Sequence, residues 1–528
     1  MTQPLHQDNS NLSPRPWDVV LGGGTNSPST AIPKTGDLVL GFMPSEYQKN
    51  IFDWLVSGEN SCVINAVPGS GKTTTLVKGS TYISRHLKTK FLVFNKHIAQ
   101  ELKNKLPGHI SASTIHSLGF SSLLRTFGSS SEIQGNKYNQ LVTQYLKNRK
   151  ISNQNTRKLL IQLVKFVQLT LTDYADKEAI KQLCNHYGIP IVKDWDFWQI
   201  AVRRILENGI NLIWTTISFE DMIWLPNVLN LPVATADFLC VDEAQDLNKA
   251  QLEIVLKAHN QGARGIFVGD VNQAIMGFSA ADHCSISHII NRTNAIQLPL
   301  SICYRCPLSH IELANKIYPV IQPHPGAIKG KIEKINKKEI PNYARGGDLI
   351  ICRCFYPLIS VYLDLVSSGI PAQVRNRDIG KQLLNLLGLI LENENYNIEL
   401  TPNQFTSKLT NWYEEQKAAM LANEAPTMVI VALHDKINTL NSIYKGNNCS
   451  DTASLVESIN DLCKVEPIFA VYLTTIHGAK GLEAKRVFHL RPDLVPHSLA
   501  KLDWEKQQEN NLLFVALTRA KETLFLCK

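Results

Sequence analysis

The string AVPGSGKT at 66–73 joins two permissive glycines to a lysine and a threonine. Glycines at 69 and 71 let backbone N–H groups approach anionic oxygens that a Cβ would screen. Lys72 adds a mobile positive charge, and the hydroxyl of Thr73 suits a divalent cation. Pro68, Gly69, Ser70, Gly71, Lys72, Thr73 and Thr74 are therefore the expected cradle for the phosphates of ATP. Ala66 stands where such loops usually begin with glycine, a tolerable change because that position only opens the turn. Further along, VDEAQD at 241–246 sets two carboxylates side by side. Asp242, with Thr73, is expected to hold Mg²⁺, and Glu243 to accept a proton from an attacking water. VGDVNQ at 268–273 adds Gln273 at the same crevice.

These side chains need a scaffold that brings strand ends together. CVINAV (62–67), FLVFN (91–95), FLCVD (238–242) and GIFVGD (265–270) read as buried strands with helices between them, which indicates parallel β-α units. Ligands of such sheets sit at the carboxyl ends of the strands. After about 295 the alternation resumes with AIQLPL (295–300), GDLIICR (347–353), RVFHL (486–490) and TLFLC (523–527). The fold class is α/β, two lobes of parallel sheet flanked by helices, with mainly helical insertions. The expected division is a flexible leader at 1–40, a first lobe at 41–118 and 215–295 and a helical insertion at 119–214. A second lobe takes 296–390 and 462–528, with a short second insertion at 391–461.

Composition narrows the class. The chain has 528 residues, 44% apolar and 19% charged, which excludes wholesale disorder and fibrous repeats. No apolar run approaches the roughly 20 residues of a membrane helix, and the N-terminus lacks a signal peptide's apolar core. Eleven scattered cysteines in a chain without a secretion signal read as free thiols of a cytoplasmic protein. Lys and Arg exceed Asp and Glu by 54 to 46, a surplus that permits a polyanionic partner.

Taken in order, DEAQD (242–246), TTIHGAKGLE (474–483) and FVALTRAK (514–521), with the phosphate loop upstream, resemble a superfamily 1 (1A) DNA helicase of the UvrD/Rep/PcrA type. The resemblance implies two RecA-like P-loop domains and ATP hydrolysis with Mg²⁺. It also implies 3′ to 5′ movement on single-stranded DNA and separation of duplex, with single-stranded and forked DNA as partners. Gln48 would meet the adenine edge and Tyr304 would stack on the base. Arg305 and Arg519 would reach the γ-phosphate, Glu483 the ribose, and Gln273 would couple phosphate state to DNA. Thr114 and His116 in STIHSLG (113–119), Thr475, His477 and the ring of Phe278 would touch the strand.

Three departures stand out. Met276 replaces a common tyrosine, Ser279 replaces an arginine, and Thr74 stands where relatives often place an arginine beside the adenine. They leave an alternative open: an ATP-gated DNA-binding switch or non-unwinding translocase within a repair, recombination or defence assembly. Lys137, Lys147, Arg149, Lys150, Arg157, Lys158 and Lys165 form an acid-free basic run that is either a solvated face or a surface tracking the DNA backbone. Cys303, Cys306, Cys352 and Cys354 are expected to be buried thiols, with a metal set as the competing reading.

Overall fold

The computed structural model describes residues 43–528 apart from 95, 129–130, 188, 190, 192–193, 260–261, 278–283, 376, 392–397, 423–426, 463–468 and 501. The expected leader and Phe278 lie outside the described residues.

Six strands form the first sheet: β1 (Cys62–Ala66), β2 (Thr89–Val93), β3 (Ile110–Thr114), β4 (Phe238–Val241), β5 (Arg264–Gly269) and β6 (Ile296–Leu300). Their order across the sheet is β3-β2-β4-β5-β1-β6, with every pairing parallel. The central strands are buried on both faces, which is why they read as continuous apolar runs rather than alternating ones. Residues from 296 onward are expected, from sequence, in the second lobe. Instead β6 lies beside β1, in register from Cys62 opposite Ile296 to Ala66 opposite Leu300. It fills the edge left open beside β1, so the first lobe extends to about residue 300.

The second sheet is built from β7 (Lys331–Ile335), β8 (Leu349–Cys352), β9 (Ala372–Val374), β10 (Val471–Thr475), β11 (Ala484–Leu490) and β12 (Ala520–Cys527). It is also wholly parallel, in the order β7-β12-β11-β8-β10-β9.

The first insertion packs helices 137–148, 154–170, 177–187 and 195–211 onto the lobe it interrupts. One core runs from Val63 and Leu92 through Leu160, Val164 and Val202 to Trp224, so insertion and lobe share their interior. A two-residue parallel ladder, Glu132–Ile133 against Thr216–Ile217, joins the insertion's two ends. Gly119 allows the closest approach at its base: a Cβ there would sit 1.9 Å from the carbonyl oxygen of Met222. The second insertion consists of helices Pro402–Ala422, Thr427–Gly446 and Thr452–Leu462, whose Phe405, Tyr444 and Leu455 merge with the core under β8 and β10. A third core spans the seam between the lobes, packing Val67 and Ile275 with Ile476, Leu512 and Val515.

Candidate nucleotide site at the seam of two lobes

β1 ends at Ala66, and the loop after it turns through left-handed glycines, Gly69 at φ 69° and Gly71 at φ 77°. Gly69 faces the residues after β6, where a Cβ would lie 2.5 Å from that of Arg305. The helix Lys72–Gly79 begins at Gly71 with no side-chain cap, so its first amides depend on another acceptor. Beside them the Ser70 hydroxyl is buried without a hydrogen-bond partner. An uncapped helix start, an orphaned hydroxyl and a lysine are the donor set a triphosphate would satisfy. Pro68 is buried, whereas Thr73 and Thr74 are exposed.

Lys72 Nζ lies 3.5 Å from Glu243 Oε1. Burial draws the Lys72 ammonium's pKa down, but Glu243, Asp270, Asp242 and Asp246 outweigh that and leave it above the usual lysine value. For Glu243 burial acts upward and is overcome by Lys72, Lys480 and the hydrogen bond from Gln245, so its carboxyl is held down as the anion. Asp242 is pushed the other way, to about 6, by burial and by Glu243. Glu243 also takes a left-handed backbone, φ 53°, uncommon for a residue with a Cβ. Its side chain is fixed by Gln245 Nε2, which donates to Oε2 at 2.5 Å. Asp242 and the Thr73 hydroxyl are hard oxygen donors of the kind that Mg²⁺ takes.

From the second lobe, Arg519 enters fully buried at the end of the helix Asp503–Leu517. Its Nε donates to Val515 O at 2.8 Å, and its Nη2 to Gln273 Oε1 at 3.1 Å and Thr518 Oγ1 at 2.9 Å. Burial, reinforced by repulsion from Arg305, lowers its pKa to about 10, still charged at neutral pH. Gln273 in turn donates to Asp270 Oδ2 at 2.6 Å. Lys480 crosses the same seam, donating to Asp246 Oδ2 at 2.5 Å and to Gln273 O at 2.6 Å.

Arg305 Nε donates to Glu483 Oε2 at 2.5 Å, and Glu483 also pairs with Lys521. Tyr304 is 43% exposed beside the loop, with its N–H donating to Gly69 O at 2.9 Å and its ring 4.8 Å from that of His324. Gln48 is tied within the chain: its amide caps the helix Glu46–Ser57 and donates to Thr75 Oγ1 at 3.0 Å.

The expected strand-contacting residues occupy two separate turns. Thr114 caps the helix Ile115–Phe127, accepting from Ser117 N at 3.1 Å, and His116 follows, partly buried. Thr475 ends β10 and accepts from Gly478 N at 3.2 Å. Burial and the nearby Arg353 push His477 down to about 3, so it is neutral.

Three corrections and additions follow from these positions. Lys137, placed with the basic run, is 2% exposed and donates to Asp221 Oδ2 at 2.6 Å, Gly209 O and Thr216 O, so it is an internal lock. The remaining run does reach the surface: Lys147, Lys150 and Arg157 line an open groove. Cys303 and Cys306 sit in the seam core while Cys352 belongs to the core beneath β8, and no group of three or more metal-ligating side chains occurs among the described residues. Asp270, Gln245, Asp246 and Lys480 were missed as site residues, although each lies inside a string that had been singled out.

The class this arrangement defines is a two-lobed P-loop protein with its phosphate loop on one lobe and an arginine on the other. Residues 48–294 match the UvrD/REP helicase N-terminal domain and 470–527 the UvrD-like helicase C-terminal domain, together more than half of the chain. The chain belongs to the UvrD/Rep/PcrA-like superfamily 1 helicases. Similar proteins include F-box DNA helicase protein 1 of Schizosaccharomyces pombe, 21% identical over 91% of this chain and 57% of that protein. F-box DNA helicase 1 of Gallus gallus is 24% identical over 91% of this chain and 48% of its own length. ATP-dependent DNA helicase PcrA of Staphylococcus aureus is 34% identical over a shorter region, 17% of this chain. The chain thus spans about half the length of the F-box relatives it matches.

Proposed function

We propose that this chain is an ATP-dependent DNA helicase and translocase that hydrolyses Mg-ATP at the seam and moves 3′ to 5′ along single-stranded DNA. The observation that carries the reading is that Lys72, paired with Glu243 and under the charge of Asp270, stands on one lobe, while Gln273 donates to that Asp270 and accepts from Arg519 of the other.

The residues divide the work. The loop amides, Ser70 and Lys72 bind the phosphates, Tyr304 stacks on the base and Gln48 meets its edge. Bound Mg²⁺ would be held by Asp242 and Thr73 and would neutralise charge on the phosphates. Glu243, once released from Lys72 and Gln245, takes the proton of the attacking water at its carboxylate. Arg519 and Arg305 bring fixed positive charge to the γ-phosphate from the second lobe, which draws the lobes together. Losing the γ-phosphate removes that attraction and lets the seam relax. Thr114 and His116 on one lobe, with Thr475 and His477 on the other, would hold the strand at two points whose spacing changes with each cycle. Phe278 would add a base-stacking ring. The proposed setting is the cytoplasm, with repair, recombination or defence proteins as partners.

The test is strand separation of duplexes with a single 3′ or 5′ tail, alongside ATP turnover with and without single-stranded DNA. Opening of the 3′-tailed substrate alone supports the reading. Stimulated turnover without strand displacement on either substrate favours the ATP-gated switch instead, a reading to which Met276 gives weight by removing a ring.

A further inference from the structure

The segment Cys303, Tyr304, Arg305, Cys306 follows β6 and leads into the helix Leu308–Asn315. It sets one thiol on each side of the two residues assigned above to the base and the γ-phosphate. Both thiols are buried in the core at the seam, whereas Tyr304 between them reaches solvent. Cys303 Sγ accepts from Cys306 N at 3.3 Å. On the loop side, a Cβ on Gly69 would lie 3.0 Å from that same sulfur. On the other side, Thr518 O, next to Arg519, accepts from Cys306 Sγ at 3.5 Å and from Arg305 Nη1 at 3.4 Å. The pair of sulfurs thus touches the phosphate loop of one lobe and the arginine-bearing turn of the other.

The two thiols are chemically unlike. A hydrogen bond from the Cys306 thiol outweighs burial at Cys303 and, with the N–H groups of Cys306 and Arg305 and the Arg305 charge, holds that thiol below the usual range. The same shared hydrogen bond, then burial, holds Cys306 above it. One sulfur is therefore disposed to ionise and attack while its neighbour keeps a proton, the division of labour of a dithiol that closes to a disulfide. A four-residue segment drawn in by an N–H···S contact brings its ends within about 7 Å, the reach of a disulfide. The alternative use of two cysteines at this spacing is a metal, yet no group of three or more metal-ligating side chains occurs among the described residues.

We infer that Cys303 and Cys306 are a site of reversible oxidation by hydrogen peroxide, and that the disulfide they form switches off ATP turnover at the seam. The inference rests on the proposed ATP-hydrolysing function. The seam that covers the thiols relaxes in each cycle, which admits a molecule as small as peroxide. The Cys303 thiolate attacks one peroxide oxygen, the O–O bond breaks, and hydroxide leaves and takes up the proton that Cys303 had released, giving water and a sulfenic acid. Cys306 then gives up its proton as its sulfur attacks Cys303 Sγ, and the expelled hydroxide takes that proton as a second water. Two thiols and one peroxide become one disulfide and two waters, with two electrons passing from sulfur to oxygen. The closed ring contains the backbone of Tyr304 and Arg305 and removes the S–H that faced Thr518 O. Arg305, paired with Glu483 in the present arrangement, then lacks the backbone freedom to turn toward a γ-phosphate.

The test treats the full chain with hydrogen peroxide, blocks the remaining thiols by alkylation and digests without reductant. Trypsin cuts after Arg292, Arg305 and Lys316, so fragments 293–305 and 306–316 separate unless a Cys303–Cys306 disulfide joins them. Mass spectrometry is expected to find the joined pair. ATP turnover of the same sample should fall by about tenfold or more and return on adding dithiothreitol. Cys303→Ser and Cys303→Ala, which lack the attacking sulfur, should turn over ATP when reduced and keep that turnover under the same peroxide. Absence of joined fragments, joined fragments without loss of turnover, or an equal loss in the Cys303 variants overturns the inference. If the reduced, unaltered chain turns over no ATP, the proposed function fails instead, and the joined fragments alone then decide whether the thiols pair.

Discussion

Arg519 reaches across the seam to donate from Nη2 to Gln273 Oε1 at 3.1 Å, while Gln273 donates to Asp270 in the first lobe. A guanidinium from one lobe is thereby tethered beside the carboxylates that surround Lys72. The tether pre-orders the arginine, and it also makes Gln273 the residue that must let go or shift when Arg519 turns to a phosphate.

This pairing predicts coupling. Arg519→Lys keeps the charge but loses the planar fork, and should lower DNA-stimulated ATP turnover by at least a hundredfold. Gln273→Ala should lower it less. The double variant should fall short of the product of the two, since both remove parts of one unit. Steady-state turnover of the four proteins gives the coupling; strictly multiplicative effects would separate the two residues.

The buried pair Lys137 and Asp221, with Tyr138 donating to the same carboxylate at 2.6 Å, should govern stability rather than DNA binding. Removing one partner leaves a buried charge alone and costs about 3–5 kcal/mol, whereas exchanging both for apolar residues of similar size costs much less. Urea denaturation of Asp221→Ala and of the double variant Lys137→Met with Asp221→Leu checks this ordering.

Lys147, Lys150 and Arg157 at the open groove carry the electrostatic prediction. If each meets one phosphate of a single strand, replacing all three with alanine should reduce the slope of log affinity against log salt by about 2. An unchanged slope would return this groove to a solvated face.

Acid should weaken the fold through His489, fully buried and with neither ring nitrogen bonded. Burial lowers its pKa from 6.5 to about 4. The unfolded chain therefore takes up a proton that the native state refuses as pH falls from about 6.5 to 4, and stability drops by about 1.4 kcal/mol per pH unit from this group. Asp242 and Asp246, both raised to about 6, act in the opposite sense between about 4 and 6. The clean readout is the gap between the unaltered chain and His489→Leu, which should move in favour of the variant on going from pH 7.5 to 5. A constant gap would contradict it.

The two-sheet α/β fold was legible because buried parallel strands leave unbroken apolar runs such as CVINAV and FLCV. The edge strand β6 was legible as a strand but not as to its sheet, since IQLPL is half-exposed and pairing with β1 is a long-range choice. Lys137 misled for a related reason: charge in sequence says nothing about a carboxylate 84 residues away that neutralises it in the interior. Around the phosphate loop, local spacing sufficed to single out Lys72 and Glu243. The role of Lys480 emerges only when the two lobes meet, because its partners Asp246 and Gln273 belong to the other lobe, whereas Gln245 and Asp270 act on neighbours within their own strings, Glu243 and Gln273.

A triphosphate held by Lys72 and Arg519 would join the lobes, and DNA would speed its hydrolysis. ATP turnover of the unaltered chain and of Arg519→Lys, each with and without oligothymidylate, tests it most directly. Strong stimulation by the oligonucleotide in the unaltered chain and near-complete loss of stimulated turnover in the variant are expected. Equal stimulated turnover in both proteins would contradict it.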